Sequence, residues 1–479
     1  MPLPKKSNNT AIIILAAGLG KRMHSSLPKV LVPVCGRAMI LHILDRVQES
    51  APGSRVALVV GHQKEKVIEA VQAENYSKLN IEFVVQPEQK GTGHAVRCAM
   101  ESSWGKNLLA AKGCVLVLPG DLPLITNELI EDMTLPLQRA TVIRLLTAQM
   151  PDPAGYGRIV RKGKKGSVLR IVEEKDANLR ERLITEVGLS IYSFQSAFLS
   201  VFVQSLKNTN AQKEFYLTDL IEIATKKKRT IETLPWADAS EVRGINNPYE
   251  LSQVCSLMMG RVVKAHALAG VRFMSLTNVR IESSVRIEPD VTVYSNVILE
   301  GATRIGSGSV IGPGVYLKNV VVGTQCEIKA GTIAEDSEIA SQAKVGPYAH
   351  LRPESKVGER SKIGNFVELK KTTIAEDTSI SHLSYLGDAI VGSRVNIGCG
   401  FVTCNYDGRI INGQRKHQTI IEDDVFVGSD CQTVAPVVLK KGSFVASGST
   451  ITEEVPQDSL AIARSRQVNK LNYAKKLKT

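Results

Sequence analysis

Three absences narrow the function of this sequence before any motif is read. No apolar run is long enough to cross a bilayer. The longest, Ala11 to Ala17, falls far short of the ~20 residues a span requires, so a membrane protein is not expected. The polar start, Met1 to Thr10, lacks the apolar segment and small-residue cleavage site of a secretory signal, and the reading is a cytoplasmic protein. Eight cysteines in 479 residues, none in a Cys-x-x-Cys pair, are too dilute for a disulfide scaffold and give no zinc or redox signature.

Lysine and arginine number 60 against 47 acids, a net charge of +13. Such an excess points first to polyanions, but its distribution argues otherwise. Arg464, Arg466, Lys470, Lys475, Lys476 and Lys478 crowd an acid-free tail, and two further clusters lie at Arg161-Lys162-Gly-Lys164-Lys165 and Lys226 to Arg229. No nucleic-acid-binding motif accompanies them, so phosphorylated small molecules or solvated faces are the expected use. The 43% hydrophobic content is that of a globular chain, long enough for two large domains or about three of ordinary size.

The periodicity changes once along the chain. Up to about residue 250, strands (Ile12 to Ala16, Val56 to Val60, Glu82 to Val85, Val115 to Leu118) alternate with helix-length segments (Met39 to Val47, Lys66 to Ala73). That pattern predicts a mostly parallel sheet covered on both faces, with ligands at the strand C-termini. From Pro248 to about Ala269, Leu251, Val254, Met258, Val262 and Ala265 recur at helical spacing, and Gly270 supplies the stop. Beyond it the period is six: Val279, Val285, Val291 and Val297, then Ile339, Val345, Leu351, Val357, Ile363 and Leu369, then Ile421, Val427, Thr433, Leu439, Val445 and Ile451. Glycine often follows the aliphatic residue, as at Gly306, Gly312, Gly346, Gly364, Gly392, Gly398 and Gly428. A six-residue repeat of this kind predicts a parallel β-helix, each coil burying its aliphatic residues against its neighbours. Open ends and flat apolar sides then make trimerisation the expected remedy.

The chemistry begins after the first strand, at Leu15-Ala16-Ala17-Gly18-Leu-Gly20-Lys21-Arg22-Met23 with Leu27-Pro-Lys29-Val-Leu31 behind it. Glycines let backbone amides approach a phosphate, and Arg22 and Lys29 supply charge for a triphosphate and its departing pyrophosphate. The phrase is neither a Walker loop nor a full dinucleotide fingerprint.

It resembles the sugar-1-phosphate nucleotidyltransferases. Together with the six-residue repeat it is similar to the bifunctional N-acetylglucosamine-1-phosphate uridyltransferase/glucosamine-1-phosphate N-acetyltransferases. The likeness runs from about 11 to 466 and includes Gln86 to Ala95, Pro119-Gly-Asp121, Gly155-Tyr156-Gly157, Ile171 to Ala177, Glu214 to Asp219 and Gly244 to Asn247. The resemblance implies a Rossmann-like α/β nucleotidyltransferase domain over 1–247, a linking helix over 248–270, a left-handed parallel β-helix acetyltransferase domain over 271–466, and a basic tail over 467–479.

It also implies roles for particular residues. UTP and the UDP-sugar would be held by Leu15, Ala16, Ala17, Gly18, Lys29, Gln86, Gly91, Thr92, Gly157, Glu173, Gly188 and Asn246. Mg²⁺ would sit on Asp121 and Asn246, a hard-oxygen pair completed by phosphates and water. Gly188 stands where the family carries Asn, and Lys21 where it carries Thr. In the β-helix His382 would be the general base, since imidazole titrates near neutrality and can take a proton from an amine. Arg352, Lys370, Tyr385, Asn396 and Lys416 would bind glucosamine 1-phosphate. Cys399, Asn405, Tyr406, Ser429, Ser447 and Arg464 would meet acetyl-CoA. The loop from Asp407 to Lys416 is about five residues longer than the family's. Two alternatives stand beside this reading: a single-activity nucleotidyltransferase whose β-helix only oligomerises or regulates, and a non-catalytic scaffold.

Overall fold

A computed structural model describes residues 10–108, 113–163, 166–408, 410 and 413–477. The polar start up to Asn9, Lys164 and Lys165, Arg409, Ile411 and Asn412 of the longer loop, and Lys478 of the tail lie outside the described residues. The chain divides into two compact units, Met1–Met258 and Met259–Thr479.

The first unit is built on a nine-stranded sheet with Ala11–Leu15 at its centre. Arg55–Val60 and Cys114–Pro119 flank this strand in parallel. Its unbroken apolar sequence follows from burial on both faces. Ile13 joins Ala57, Val59, Val115 and Val117 in one core, while Ile12 and Ile14 join Val56, Leu58, Leu116 and Leu118 in the other. The helix Met39–Ser50 closes the second core with Ile40, Ile43, Leu44 and Val47, and the helix Thr92–Glu101 closes the first with Ala95, Val96, Ala99 and Met100. The predicted strands and helices up to Leu118 are all present, with ends displaced by at most three residues.

One part of this sheet departs from simple alternation. Three strands, Thr141–Gln149, Gly157–Arg161 and Val168–Val172, follow one another with no intervening α-helix among the described residues. The long strand Glu186–Gln195 then runs antiparallel between Thr141–Gln149 and Cys114–Pro119. It also pairs with the hairpin, placing Gly188 opposite Gly157. The parallel strand ends at Leu15, Val60, Val85 and Pro119 share one edge of the sheet, the edge at which such folds hold ligands.

The second unit is a left-handed parallel β-helix with three sheets of eleven, ten and nine strands, every ladder parallel. Most successive coils are 17 or 18 residues apart in register, as in Val293↔Ile311 and Ile311↔Ile328, and the last, Val445↔Ala461, is 16. The six-residue aliphatic residues point inward and form one continuous core, from Val279 through Ile311, Val345, Ile363 and Leu369 to Ile451. The small residue that follows many of them has a steric cause. A Cβ at Gly428, for example, would come within 2.6 Å of the Ser447 backbone nitrogen on the next coil. One coil is longer: Ile397 pairs with Val427, and the extra residues form the loop between Val402–Cys404 and Thr419–Ile421. The helix Pro248–Leu268 ends with Val263 buried in the β-helix core and Met259 and Val262 packed against it.

Candidate functional sites in the two units

In the first unit, four chain segments converge at the sheet edge. Gly20 has a φ of +58° and faces Lys29, where a Cβ would meet the Lys29 Cβ at 2.7 Å. Glycine is therefore what allows the loop to close over the lysine. Lys29 Nζ donates to Asp121 Oδ2 and, at 3.2 Å, to Asn246 Oδ1, and Arg22 Nη2 donates to the same Asn246 oxygen at 3.1 Å. Thus the two oxygens expected to hold a metal and the two cations expected to face phosphate meet at one place.

Local structure fixes each partner. Asp121 follows the strand Cys114–Pro119, whose next residue, Gly120, donates its N–H to the Leu15 carbonyl at 2.9 Å. Asn246 is held through the start of the following helix. Asn247 Oδ1 accepts from the Glu250 N–H at 2.9 Å, while the Glu250 carboxylate accepts from the Asn246 N–H at 2.6 Å and from Asn247 Nδ2 at 2.7 Å. This is a capping-box variant, with Pro248 at the first helical position. Asp121 Oδ2 and Asn246 Oδ1 already share one cation, the Lys29 ammonium. Two hard oxygens converging on a positive charge, one of them anionic, fit Mg²⁺.

The residues expected to meet base and sugar lie along the same edge. Gln86, next after the strand Asn80–Val85, is buried, its Nε2 donating to the Gly91 carbonyl at 3.2 Å and lying 3.0 Å from His94 Nδ1. Thr92 opens the helix that follows Gly91, and its hydroxyl accepts from the Leu217 N–H at 3.2 Å. Glu173 is half-buried, and the loss of water pushes its carboxyl pKa up, a shift opposed by the Thr218 hydroxyl, which donates to Oε1 at 3.0 Å. Asp219 rises to about 6, first through burial and then through the nearby charges of Glu222, Glu173 and Asp176. A Cβ at Gly157 would lie 3.5 Å from Glu173 Oε2, which brings that glycine beside the Glu173 carboxylate. Gly188 is set differently, since the space beside it is filled by Ile171, Ile159 and Leu145. Two groups of this region carried no signal of their own in the sequence: Thr218, and Tyr156, whose phenol pKa is raised by burial and whose surroundings include Arg243, Glu250 and Asp121.

The second unit assembles its candidate site by stacking. The ladder pairs Ile363 with Ile380, Ile380 with Ile397, Ile397 with Val427, and Val427 with Val445. Two residues beyond each pair the register therefore forms a column of Asn365, His382, Cys399, Ser429 and Ser447, with Arg464 at the coil above. The Asp430 N–H donates to the Cys399 carbonyl and the Gly448 N–H to the Ser429 carbonyl, at 2.7 and 2.9 Å. His382 is exposed, and its Nδ1 lies 2.6 Å from Asn365 Oδ1. Asn396 is exposed three residues before Cys399 on the same face.

Beside this column, the next face pairs Glu368 with Tyr385 and Lys370 with Gly387. Arg352 Nη1 donates to Glu368 Oε1 at 2.9 Å. Lys416, and then Arg352, push the Lys370 ammonium pKa down, like charges gathered with too little anion to balance them. The longer loop therefore still delivers Lys416 to Lys370. Asn405 is buried, its Nδ2 donating to Asp388 Oδ2, and the adjacent Tyr406 is largely exposed. The expected tail residue Arg464 and those after it as far as Leu477 are exposed.

A glycine loop with its carboxylate, amide and paired cations, followed by a β-helix carrying a histidine column and a cation cluster, defines a transferase with two candidate sites. Residues 12–180 match the MobA-like NTP transferase domain, 278–319 the bacterial transferase hexapeptide of six repeats, and 333–476 the GMPPB C-terminal domain. The chain is 46% identical to the bifunctional protein GlmU of Geotalea uraniireducens, over 98% of this chain and 100% of that protein. It is 43% identical to that of Pelobacter propionicus (98% and 99% covered) and 44% identical to that of Shouchella clausii (97% and 98%). The chain belongs to the GlmU family.

Proposed function

We propose that the two activities of this bifunctional enzyme are divided between the two units: N-acetylation of glucosamine 1-phosphate by acetyl-CoA in the β-helix, and uridyl transfer from UTP to the resulting N-acetylglucosamine 1-phosphate in the nucleotidyltransferase unit. In the first reaction the sugar amine attacks the thioester carbonyl, the C–S bond breaks, and coenzyme A leaves as its thiol. His382 takes the amine proton, because an ammonium has no lone pair with which to attack. Arg352, Lys370 and Lys416 hold the sugar phosphate, and the Cys399–Ser429–Ser447–Arg464 column seats acetyl-CoA with its thioester end beside His382. The cation cluster around Lys370 is the observation that carries this half, since a purely structural coil gains nothing from setting like charges side by side.

In the second reaction a phosphate oxygen of the sugar attacks the α-phosphorus of UTP and pyrophosphate leaves. Lys29 and Arg22 neutralise the charge that collects on the phosphates, Glu173 orients the sugar, and Gln86, Gly91 and Thr92 face the uracil. Such transfers are accelerated mainly by positioning and charge neutralisation. Mg²⁺ on Asp121 and Asn246, when bound, adds Lewis-acid stabilisation of the phosphate oxygens.

The active form is a homotrimer. Tyr348 and Phe366, stacked with ring centroids 5.7 Å apart, and Leu383 leave a ridge of more than half-exposed apolar side chains next to Asn365 and His382, and burial against another copy would remove it from water. A cytoplasmic location is supported by a cysteine content too dilute for a disulfide scaffold, eight in 479 residues. No helix among the described residues is long and apolar enough to cross a membrane.

Paired substitutions test the division. Asp121→Asn should lower pyrophosphate release about 10²-fold or more and leave thiol release intact. His382→Ala should lower thiol release by ~10² to 10⁴-fold and leave pyrophosphate release from supplied N-acetylglucosamine 1-phosphate unchanged. Loss of both products in either variant would refute it.

A further inference from the structure

An exposed histidine is a poor general base unless something fixes which ring nitrogen carries the proton. In neutral imidazole one nitrogen donates and the other accepts, and the partner of the first decides the availability of the second. His382 ends the strand Ser379–His382, and Asn365 ends the strand Lys362–Asn365 directly beneath it in the parallel ladder. Their backbones are tied on both sides of this pair, since the Leu383 N–H donates to the Asn365 carbonyl at 3.0 Å and the Lys362 N–H to the Thr378 carbonyl at 2.8 Å. The side chains add a rung of their own, His382 Nδ1 to Asn365 Oδ1 at 2.6 Å.

We infer that Asn365 is a positioning residue for acetyl transfer: its amide oxygen accepts Nδ1–H, holds His382 in the Nδ1-protonated tautomer, and leaves the Nε2 lone pair free to take the substrate proton. The inference rests on the reading of His382 as the base. An amide oxygen suits this role because it accepts the Nδ1 proton and orients the ring without carrying a charge of its own. In water an exposed amide–imidazole bond competes with solvent and contributes little net free energy. A ligand seated along the Cys399–Ser429–Ser447 column would cover it and strengthen it just when the base is needed. By register, Cys399 stands on the coil above His382, and Glu368 and Tyr385 open the adjoining face.

Asn365→Ala and Asn365→Asp in the full chain test the inference. Loss of an orienting partner typically costs 10- to 100-fold, so Asn365→Ala should lower kcat for thiol release by about that factor. KM for both substrates, pyrophosphate release and the unfolding temperature should stay near wild type. Asn365→Asp should restore most of the rate. It should also move the acid limb of the pH–rate profile to higher pH, because a carboxylate at Nδ1 favours the imidazolium. Wild-type kcat in Asn365→Ala, with His382→Ala inactive, would overturn the inference alone. So would an Asn365→Asp variant as slow as Asn365→Ala with a lowered unfolding temperature, which marks a packing role. Wild-type thiol release in His382→Ala would overturn the reading of the base and the inference together.

Discussion

In the first unit Lys29 meets Asp121 and Asn246 across 92 and 217 residues of sequence, whereas in the second His382 meets Asn365 across only 17. The first site is a convergence of loops from strand ends, each held by its own device: the glycine at 20, the backbone bond of Gly120, the capping box at Glu250. The second is a stack, in which each side chain takes its place from the coil beneath. A convergent site should therefore respond to damage one loop at a time, while a stacked site should respond to anything that disturbs the spacing of the coils.

The largest expected effect is on that spacing. Ile363, fully buried between Val345 and Ile380 in the first-face ladder, lies two residues from Asn365. Ile363→Ala should destabilise the second unit by about 2–5 kcal/mol through lost burial and a residual cavity. Calorimetry should show its transition lowered and thiol release lost at a lower temperature, while pyrophosphate release keeps its wild-type thermal profile. A common shift of both activities would erase the distinction between the units.

Next in size is the cation cluster. Lys370→Met removes one charged hydrogen bond to phosphate and should lower kcat/KM for glucosamine 1-phosphate by ~10- to 100-fold without touching uridyl transfer. Because Lys416 and Arg352 hold the Lys370 pKa below that of an ordinary lysine, a bound phosphate raises it again and binding favours the protonated form. Affinity for the sugar phosphate should therefore fall as pH rises through the lowered pKa, and Lys416→Ala should move that fall to higher pH. An unmoved profile would mean that the two lysines do not act together.

A smaller effect tests the loop devices of the first unit. Glu250→Gln weakens the carboxylate bonds to Asn246 and Asn247, worth about 1 kcal/mol by comparison with other helix caps. Uridyl transfer should drop several-fold and require more Mg²⁺, while thiol release stays constant.

The smallest effect concerns Asp219, whose carboxyl is raised to about 6 chiefly by burial. A raised folded-state pKa means that the ionised form is disfavoured in the folded chain, a cost that appears as pH rises from about 4 through 6 and is constant above. Asp219→Asn should stabilise the first unit by about 1 kcal/mol or less above pH 6, after allowance for its partial exposure and the lost helix N-terminal charge. The gain should vanish near pH 4, and a gain that persisted there would contradict the assignment of the cost to ionisation.

The same contrast explains what could be read in advance. The strands around Ile13 and the inward aliphatic residues of the coils were legible because burial on two faces and a six-residue period leave direct marks on sequence. Lys29, Asp121 and Asn246 were legible only through short phrases matched to a family, since nothing in composition links positions so far apart. The antiparallel strand Glu186–Gln195 was hidden because its apolar pattern does not encode the direction in which it enters the sheet. Asn365 was hidden for a subtler reason: three six-residue units make 18, but its coil slips by one, so its stacking partner stands 17 residues on. Thr218 was hidden because its role lies wholly in a tertiary bond to Glu173.

The most direct test is to supply the full chain with glucosamine 1-phosphate, acetyl-CoA, UTP and Mg²⁺ and to follow free thiol and pyrophosphate separately. Two linked sites on one chain predict thiol release without delay and pyrophosphate release after a lag, with pyrophosphate abolished when acetyl-CoA is withheld and restored by N-acetylglucosamine 1-phosphate. Normal pyrophosphate release from N-acetylglucosamine 1-phosphate with no thiol above background would contradict the account and leave the β-helix as a scaffold.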